Sequence, residues 1–96
     1  MNKHNITKVE RSSGFKRTYK KKSTFVQEKF KKRFSQWVYD PFGHNYKTEP
    51  LKSDNSIWKF NIDNDYRVLF QWKRKFTEIQ LIGIYNHNEL LRKGYY

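Results

Sequence analysis

The chain holds 96 residues, enough for one domain that must bury roughly 60–70% of its extended surface to be stable, and a 19% aromatic content supplies the material. It contains no Cys, which excludes a disulfide framework and a thiolate zinc site. No apolar run approaches the ~20 residues of a membrane span, and the polar, basic start develops no signal-peptide core, so a cytoplasmic protein without membrane contact is expected.

Twenty-one Lys and Arg face nine Asp and Glu, a formal charge of +12. The excess is local: positions 1–35 carry a net +10, and positions 36–96 a net +2. A dense basic region favours nucleic acid, an anionic membrane or an acidic partner protein, nucleic acid foremost, over a merely solvated surface.

In chain order, Ile6 and Val9 are the apolar anchors of a short edge strand near 6–12, ended by a break at Ser12–Ser13–Gly14. From Phe15 the period becomes helical, with Phe15 and Tyr19 on one face among Lys16, Arg17, Lys20, Lys21 and Lys22. Ser23 or Thr24 can cap a second helix. Its stripe is Val26, Phe30, Phe34 and Trp37, widened by Phe25 and Val38, and Lys29, Lys31, Lys32 and Arg33 make its other face basic. Asp40–Pro41 stops it. Positions 41–56 read as a loop.

Two alternating strands follow. A three-residue loop at Asp63, Asn64 and Asp65 pairs Ile62 with Tyr66, Phe60 with Val68 and Trp58 with Phe70, which makes one face wholly apolar and sets Asn61 opposite Arg67 on the other. A third strand near 77–84, reached by a connection from Lys73 to Phe76, then pairs Phe70 with Ile79 and Val68 with Leu81. The helical hairpin covers the apolar face. The second face, with Lys59, Asn61, Arg67, Leu69, Gln80 and Ile82, is left at least partly open for a ligand. The expected class is α+β, one domain over 1–96.

His4, His44 and His87 match no compact metal motif, and no Gly-rich phosphate cradle or nucleophile elbow is present, so neither metal nor cofactor is expected. What remains is an acid–base set among cations. Cleavage of an RNA phosphodiester needs a base for the 2′-hydroxyl, an acid for the leaving 5′-oxygen and cations on the phosphoryl oxygens. Glu49 is a candidate base, His87 a candidate acid and Arg67 a planar phosphate clamp, with Lys52 and Lys59 to position the backbone. Tyr85, Tyr95 and Tyr96 are candidates for stacking on bases. The plainer alternatives are an Arg67 ion pair with Asp65 or Glu49, an exposed turn at His87, a packed Tyr85 and frayed terminal tyrosines.

Asp40–Pro41–Phe42, Glu49–Pro50–Leu51–Lys52, Trp58–Lys59–Phe60–Asn61–Ile62 and Asp65–Tyr66–Arg67–Val68–Leu69–Phe70 resemble the RelE/ParE toxin superfamily, as do Leu81–Ile82–Gly83 and His87–Asn88–Glu89–Leu90. The resemblance runs over positions 6–91. It implies a RelE-like fold, with a helical hairpin on one face of a small, mainly antiparallel twisted sheet. It also implies a toxin of a type II toxin–antitoxin module that cleaves mRNA in the ribosomal A site without metal and is neutralised by a cognate antitoxin. The YoeB/Txe branch implies Glu49 as general base, Arg67 as phosphate holder and His87 as general acid; Lys52, Lys59, Asn61 and Tyr85 stand beside them as candidate RNA-binding residues. The YafQ-like branch implies Asp65 as an additional acid or base and has a histidine where Asn61 stands. Two other outcomes stay open: a ParE-like inhibitor of DNA gyrase, and a non-catalytic RNA- or protein-binding homologue. Strict alternation points His87 to the helix side with Leu81, so an acid at that position requires a bend or bulge after Gly83.

Overall fold

A computed structural model describes residues 5–43 and 45–96, so His4 and His44 lie outside the described residues. The elements are β1 (Lys8–Arg11), α1 (Ser13–Lys21), α2 (Thr24–Trp37), β2 (Glu49–Pro50), β3 (Trp58–Asn61), β4 (Tyr66–Arg74), β5 (Glu78–Asn86) and α3 (His87–Arg92). The sheet order is β1-β5-β4-β3-β2. β1 runs parallel to β5, and the remaining pairs are antiparallel. The fold is α+β, with the helical hairpin α1–α2 on one face of a mixed sheet.

Two serines start the helices. The Ser12 hydroxyl accepts the Phe15 N–H at 3.0 Å, and the Ser23 hydroxyl accepts the Val26 N–H at 3.2 Å. Ser12–Ser13–Gly14 is therefore the start of α1 rather than a break. α2 ends at Trp37, with Val38 as its C-cap, before Asp40–Pro41 is reached. Phe25 is 68% exposed and does not widen the apolar stripe; the Lys29 ammonium lies 4.9 Å from its ring centre. Positions 41–56 are not all loop, since Glu49–Pro50 pairs with β3.

The helix-side core is aromatic. Trp37 is fully buried, stacked on Phe60 at 4.2 Å between centroids and edge-on to Phe70 at 5.1 Å. Its indole N–H donates to the Thr48 hydroxyl at 3.0 Å, and Thr48 donates in turn to the Pro41 carbonyl. Phe15 and Phe30 come from the helices, and Val68, Ile79 and Leu81 from the strands. Each large apolar side chain removed from water contributes about 1.5–3 kcal/mol before entropy is counted.

The β3–β4 hairpin has the expected register: Trp58 faces Phe70, Phe60 faces Val68 and Asn61 faces Arg67. Its turn is held by Asp63, whose carboxylate accepts the N–H groups of Asp65 and Tyr66 at 2.8 Å each. The next hairpin departs from expectation. Phe70 faces Leu81, Trp72 faces Ile79 and Val68 faces Ile84. β4 continues to Arg74 because Trp72 extends the apolar row and packs edge-on with Phe70 at 5.1 Å and Phe76 at 5.3 Å. One bulge falls at Ile82, before Gly83 rather than after it: Leu69 faces Gly83 and Phe70 faces Leu81, so Ile82 has no cross-strand partner on β4, and a second irregularity lies between Trp72 and Arg74. The Ile82 bulge reverses the parity of β5: Leu81 faces the helices, whereas Tyr85 joins Leu69 on the second face.

That second face is not simply open. Leu51, Ile57, Leu69, Tyr85 and Leu90 form a smaller core there, with Ile82 and Tyr95 packed against it. α3 covers it, and begins with a reciprocal cap in which the Asn86 side chain accepts the Glu89 N–H and the Glu89 carboxylate accepts the Asn86 N–H, both at 2.8 Å.

Candidate functional site

The site is built by cross-strand neighbours on the second face. Glu49 of β2 stands opposite Lys59 of β3, and Lys59 opposite Leu69 of β4. One step along, Asn61 stands opposite Arg67, and Arg67 opposite Tyr85 of β5. Four strands thus bring together residues distant in sequence.

Lys59 is at the centre. Its ammonium donates to the Asn61 side-chain oxygen at 3.1 Å. Burial lowers its pKa, Glu49 opposes the shift, and the charges of Arg67 and Lys47 add to it. Burial is the larger cause, and an anion bound beside this half-buried ammonium would be stabilised by it.

The Arg67 guanidinium donates through Nη1 to the carbonyls of Asp63 and Asn64 at 3.1 Å each, and of Tyr66 at 3.4 Å. Among the described residues no carboxylate forms an ion pair with it, neither Asp65 nor Glu49. The turn fixes one edge of the fork and leaves the charge uncompensated.

His87 is the first residue of α3, and its N–H donates to the Asp65 carbonyl at 2.9 Å. Its exposed ring stands between two recesses. One, of about 170 Å³, is shared with Lys59, Arg67, Leu90 and Tyr96. The other, of about 340 Å³, is shared with Asp65, Tyr66, Asn86 and Asn88.

Lys59, Arg67 and His87 thus border one recess. Glu49 is the cross-strand neighbour of Lys59, exposed, and is not part of the lining. Lys52 is exposed in the turn after β2, beside the buried Leu51. Asn61, 9% exposed, is held under Lys59. Asp65 flanks His87 on the other side. Tyr85 is 7% exposed and packs: its ring lies over Gly83, where an added Cβ would come within 2.6 Å of it. The Lys93 ammonium lies 5.4 Å from the centre of that ring.

Sequence reasoning did not find the apolar wall of the recess, Leu51, Leu90 and Leu91. The Asn86-to-Glu89 capping pattern ahead of Leu90–Leu91 was its available signal. The terminal tyrosines are not frayed. The Tyr96 carbonyl accepts the Ser53 N–H at 2.7 Å, and the Tyr96 N–H donates to the Ser53 hydroxyl at 3.1 Å. Among the described residues no three His, Asp or Glu side chains gather as a metal set, and no helix is long and apolar enough to cross a membrane.

No protein-family model matches the chain, and no curated protein matches it in sequence. Solved structures match it in fold. The RelBE2 toxin–antitoxin complex from Mycobacterium tuberculosis is similar at a TM-score of 0.71 and 13% identity, over 91% of this chain and 98% of that one. The chain has a RelE-like fold. The YoeB/ParE toxin from Agrobacterium tumefaciens shares it at a TM-score of 0.66 and 19% identity, over 84% of this chain and 99% of that one. YafQ from E. coli shares it at a TM-score of 0.68 and 16% identity, over 85% and 94% of the two chains. The helical hairpin and the mixed sheet are thus those of the RelE-like fold, and at these identities the likeness concerns architecture alone.

Proposed function

We propose that this chain is the toxin of a type II toxin–antitoxin module, a single domain over 1–96, that cuts mRNA in the ribosomal A site and is held inactive by a cognate antitoxin. One observation carries this reading: Lys59, Arg67 and His87 line one recess, and Glu49 stands opposite Lys59 on the neighbouring strand. Toxins and toxin–antitoxin complexes among the similarly folded structures support the partner.

Glu49 takes the proton of a 2′-hydroxyl. The freed oxygen attacks the adjacent phosphorus, and Arg67 and Lys59 balance the charge that builds on the phosphoryl oxygens. His87 gives its proton to the departing 5′-oxygen. The products are a 2′,3′-cyclic phosphate and a 5′-hydroxyl, and the scheme requires no metal ion. Asp65, beside His87, is an additional acid or base. Lys52 and Asn61 serve the RNA backbone, and Tyr96, 65% exposed at the recess, offers a ring for a base. Tyr85 is packed with Leu51 and Leu90, which line the recess, and acts by supporting them. Many of the remaining Lys and Arg suit docking on ribosomal RNA, where phosphate contacts add affinity without reading sequence.

The test adds the protein to translating ribosomes carrying an intact message and maps cuts by primer extension. Glu49→Ala, Arg67→Ala and His87→Ala should each lower cutting by about 10²–10⁴-fold with the fold retained. A 2′-deoxy substitution at the cut position should abolish it. Intact message with the wild-type protein, or wild-type cutting by all three variants, overturns the proposal.

A further inference from the structure

A second polar recess, of about 340 Å³, opens at the outer edge of β3. It is lined by Arg33 of α2, by Asn45 and Lys47 ahead of β2, by Asn61, and by Asp63 and Asn64 of the β3–β4 turn. Neither the acid–base scheme nor the helix-side core uses it.

Three features single it out. First, Asn45 and Lys47 both have left-handed backbones, at φ 84° and 52°. Asparagine tolerates this region; lysine gains nothing local from it. The conformation is imposed from outside. The Tyr46 carbonyl between them accepts the Asn61 N–H at 2.7 Å, and the Tyr46 ring lies under the Arg33 guanidinium at 5.0 Å. Strain held in this way by its surroundings is characteristic of binding sites. Second, Arg33 is under-satisfied: its Nε is buried without an acceptor, and among the described residues no carboxylate forms an ion pair with it. Third, the one carboxylate in the lining is already engaged. Asp63 accepts from the Lys29 ammonium at 2.9 Å and from two backbone N–H groups at 2.8 Å each. Arg33 and Lys47 are left without a counter-charge.

The recess is also joined to the site. Asn61 lines it and accepts from the Lys59 ammonium at 3.1 Å, so one side chain is shared by both.

We propose that Arg33 and Lys47, with the side-chain amides of Asn45, Asn61 and Asn64, form a second anion subsite that holds a backbone phosphate of the RNA strand whose scissile phosphate lies at Lys59 and Arg67. This rests on the function proposed above. A guanidinium fork suits two oxygens of one phosphate, the ammonium adds a point charge, and the neutral amides supply donors that do not repel it. The Lys47 charge is already felt at Lys59, so an anion bound between them relieves both.

The probe is a labelled eight-nucleotide single-stranded RNA carrying 2′-O-methyl groups, which prevent cleavage, titrated with the full chain over a range of salt. Lys47→Gln, an exposed position, should weaken binding several-fold and flatten the slope of log affinity against log salt by about 0.7, the share of one phosphate on a single strand. Lys47→Arg should restore both. Arg33→Gln should act in the same direction; because Arg33 also packs on Tyr46, its melting temperature is read alongside. Wild-type affinity and slope in Lys47→Gln, or no binding of the RNA by the wild-type chain, overturns the subsite. So does a loss confined to binding of an acidic antitoxin peptide, which would assign the recess to protein instead. If the wild-type chain leaves message intact on ribosomes while the Lys47-dependent slope persists, the nuclease reading fails and the subsite stands. Cutting by the wild type with an unchanged slope in the variants does the reverse.

Discussion

The two faces of the sheet are made by alternate residues of the same strands, yet they solve different problems. On the helix side, Phe60, Val68 and Phe70 are sealed under Trp37 and Phe30, with ring against ring and the Trp37 indole N–H paired to Thr48. On the other side, Leu69, Tyr85 and Leu90 form a smaller patch, beside which Lys59 and Arg67 stand half-buried without full charge compensation. The first arrangement maximises apolar area and pairs the indole N–H at its centre. The second keeps cations where burial strengthens their field, at some cost in stability. The Ile82 bulge lets β5 serve both, because it turns Leu81 to one side and Tyr85 to the other.

Truncating the helix-side core should have the largest effect. Trp37→Ala removes a fully buried ring stacked on Phe60 and should cost about 3–5 kcal/mol, read from urea unfolding. That is a large share of the 5–15 kcal/mol typical of a domain. A loss below ~1 kcal/mol would mean that this face does not dominate stability.

Next comes the second face. Gly83→Ala places a Cβ within 2.6 Å of the Tyr85 ring and should cost about 1–3 kcal/mol. Tyr85→Ala removes the obstacle, so the double variant should be more stable than the two separate losses add up to. Strict additivity in that cycle would show that the ring is not what excludes a side chain at Gly83.

The smallest effect concerns the ion pairs that tie the faces together. Lys22 at the α1–α2 junction meets Glu89 of α3 at 2.8 Å, and Lys29 of α2 meets Asp63 at 2.9 Å. Burial pushes both carboxyls up, but the lysine hydrogen bonds and backbone N–H groups outweigh it and hold each below the ordinary range. A carboxyl lowered in the folded state contributes stability above its unfolded pKa, near 4, and loses it as pH falls through the folded value. The urea midpoint should therefore hold from pH 7 to 5 and fall below pH ~4, by on the order of 0.5–1 kcal/mol per pair after solvent screening. Lys22→Met and Lys29→Met should each flatten that fall. An unchanged fall in both variants would remove the pairs as its cause.

Much of the helix-side face was legible because its signals are local and repeated. The spacing of Val26, Phe30, Phe34 and Trp37 marks one side of a helix, and the alternation through Trp58, Phe60, Val68 and Phe70 admits one hairpin register that keeps the faces apart. Phe25 misled because composition does not say which way a ring at the margin of a stripe turns. The second face was read only in part. Arg67 and Lys59 fall on it by alternation, but the recess that joins them to His87 needs α3 and the docked terminal residues. The left-handed backbone at Lys47 has no signature in residue type.

The sequence by itself determined which side chains must leave water and with what period, and this sets the helical hairpin, the first strand pair and the apolar face. It also determined the chemistry on offer: a carboxylate, a histidine and many cations. Only the tertiary structure decided where these stand relative to one another. The parity of β5 changes at the Ile82 bulge, which sets Tyr85 against Leu69 and Leu90, and such packing across three elements is long-range and has no local pattern.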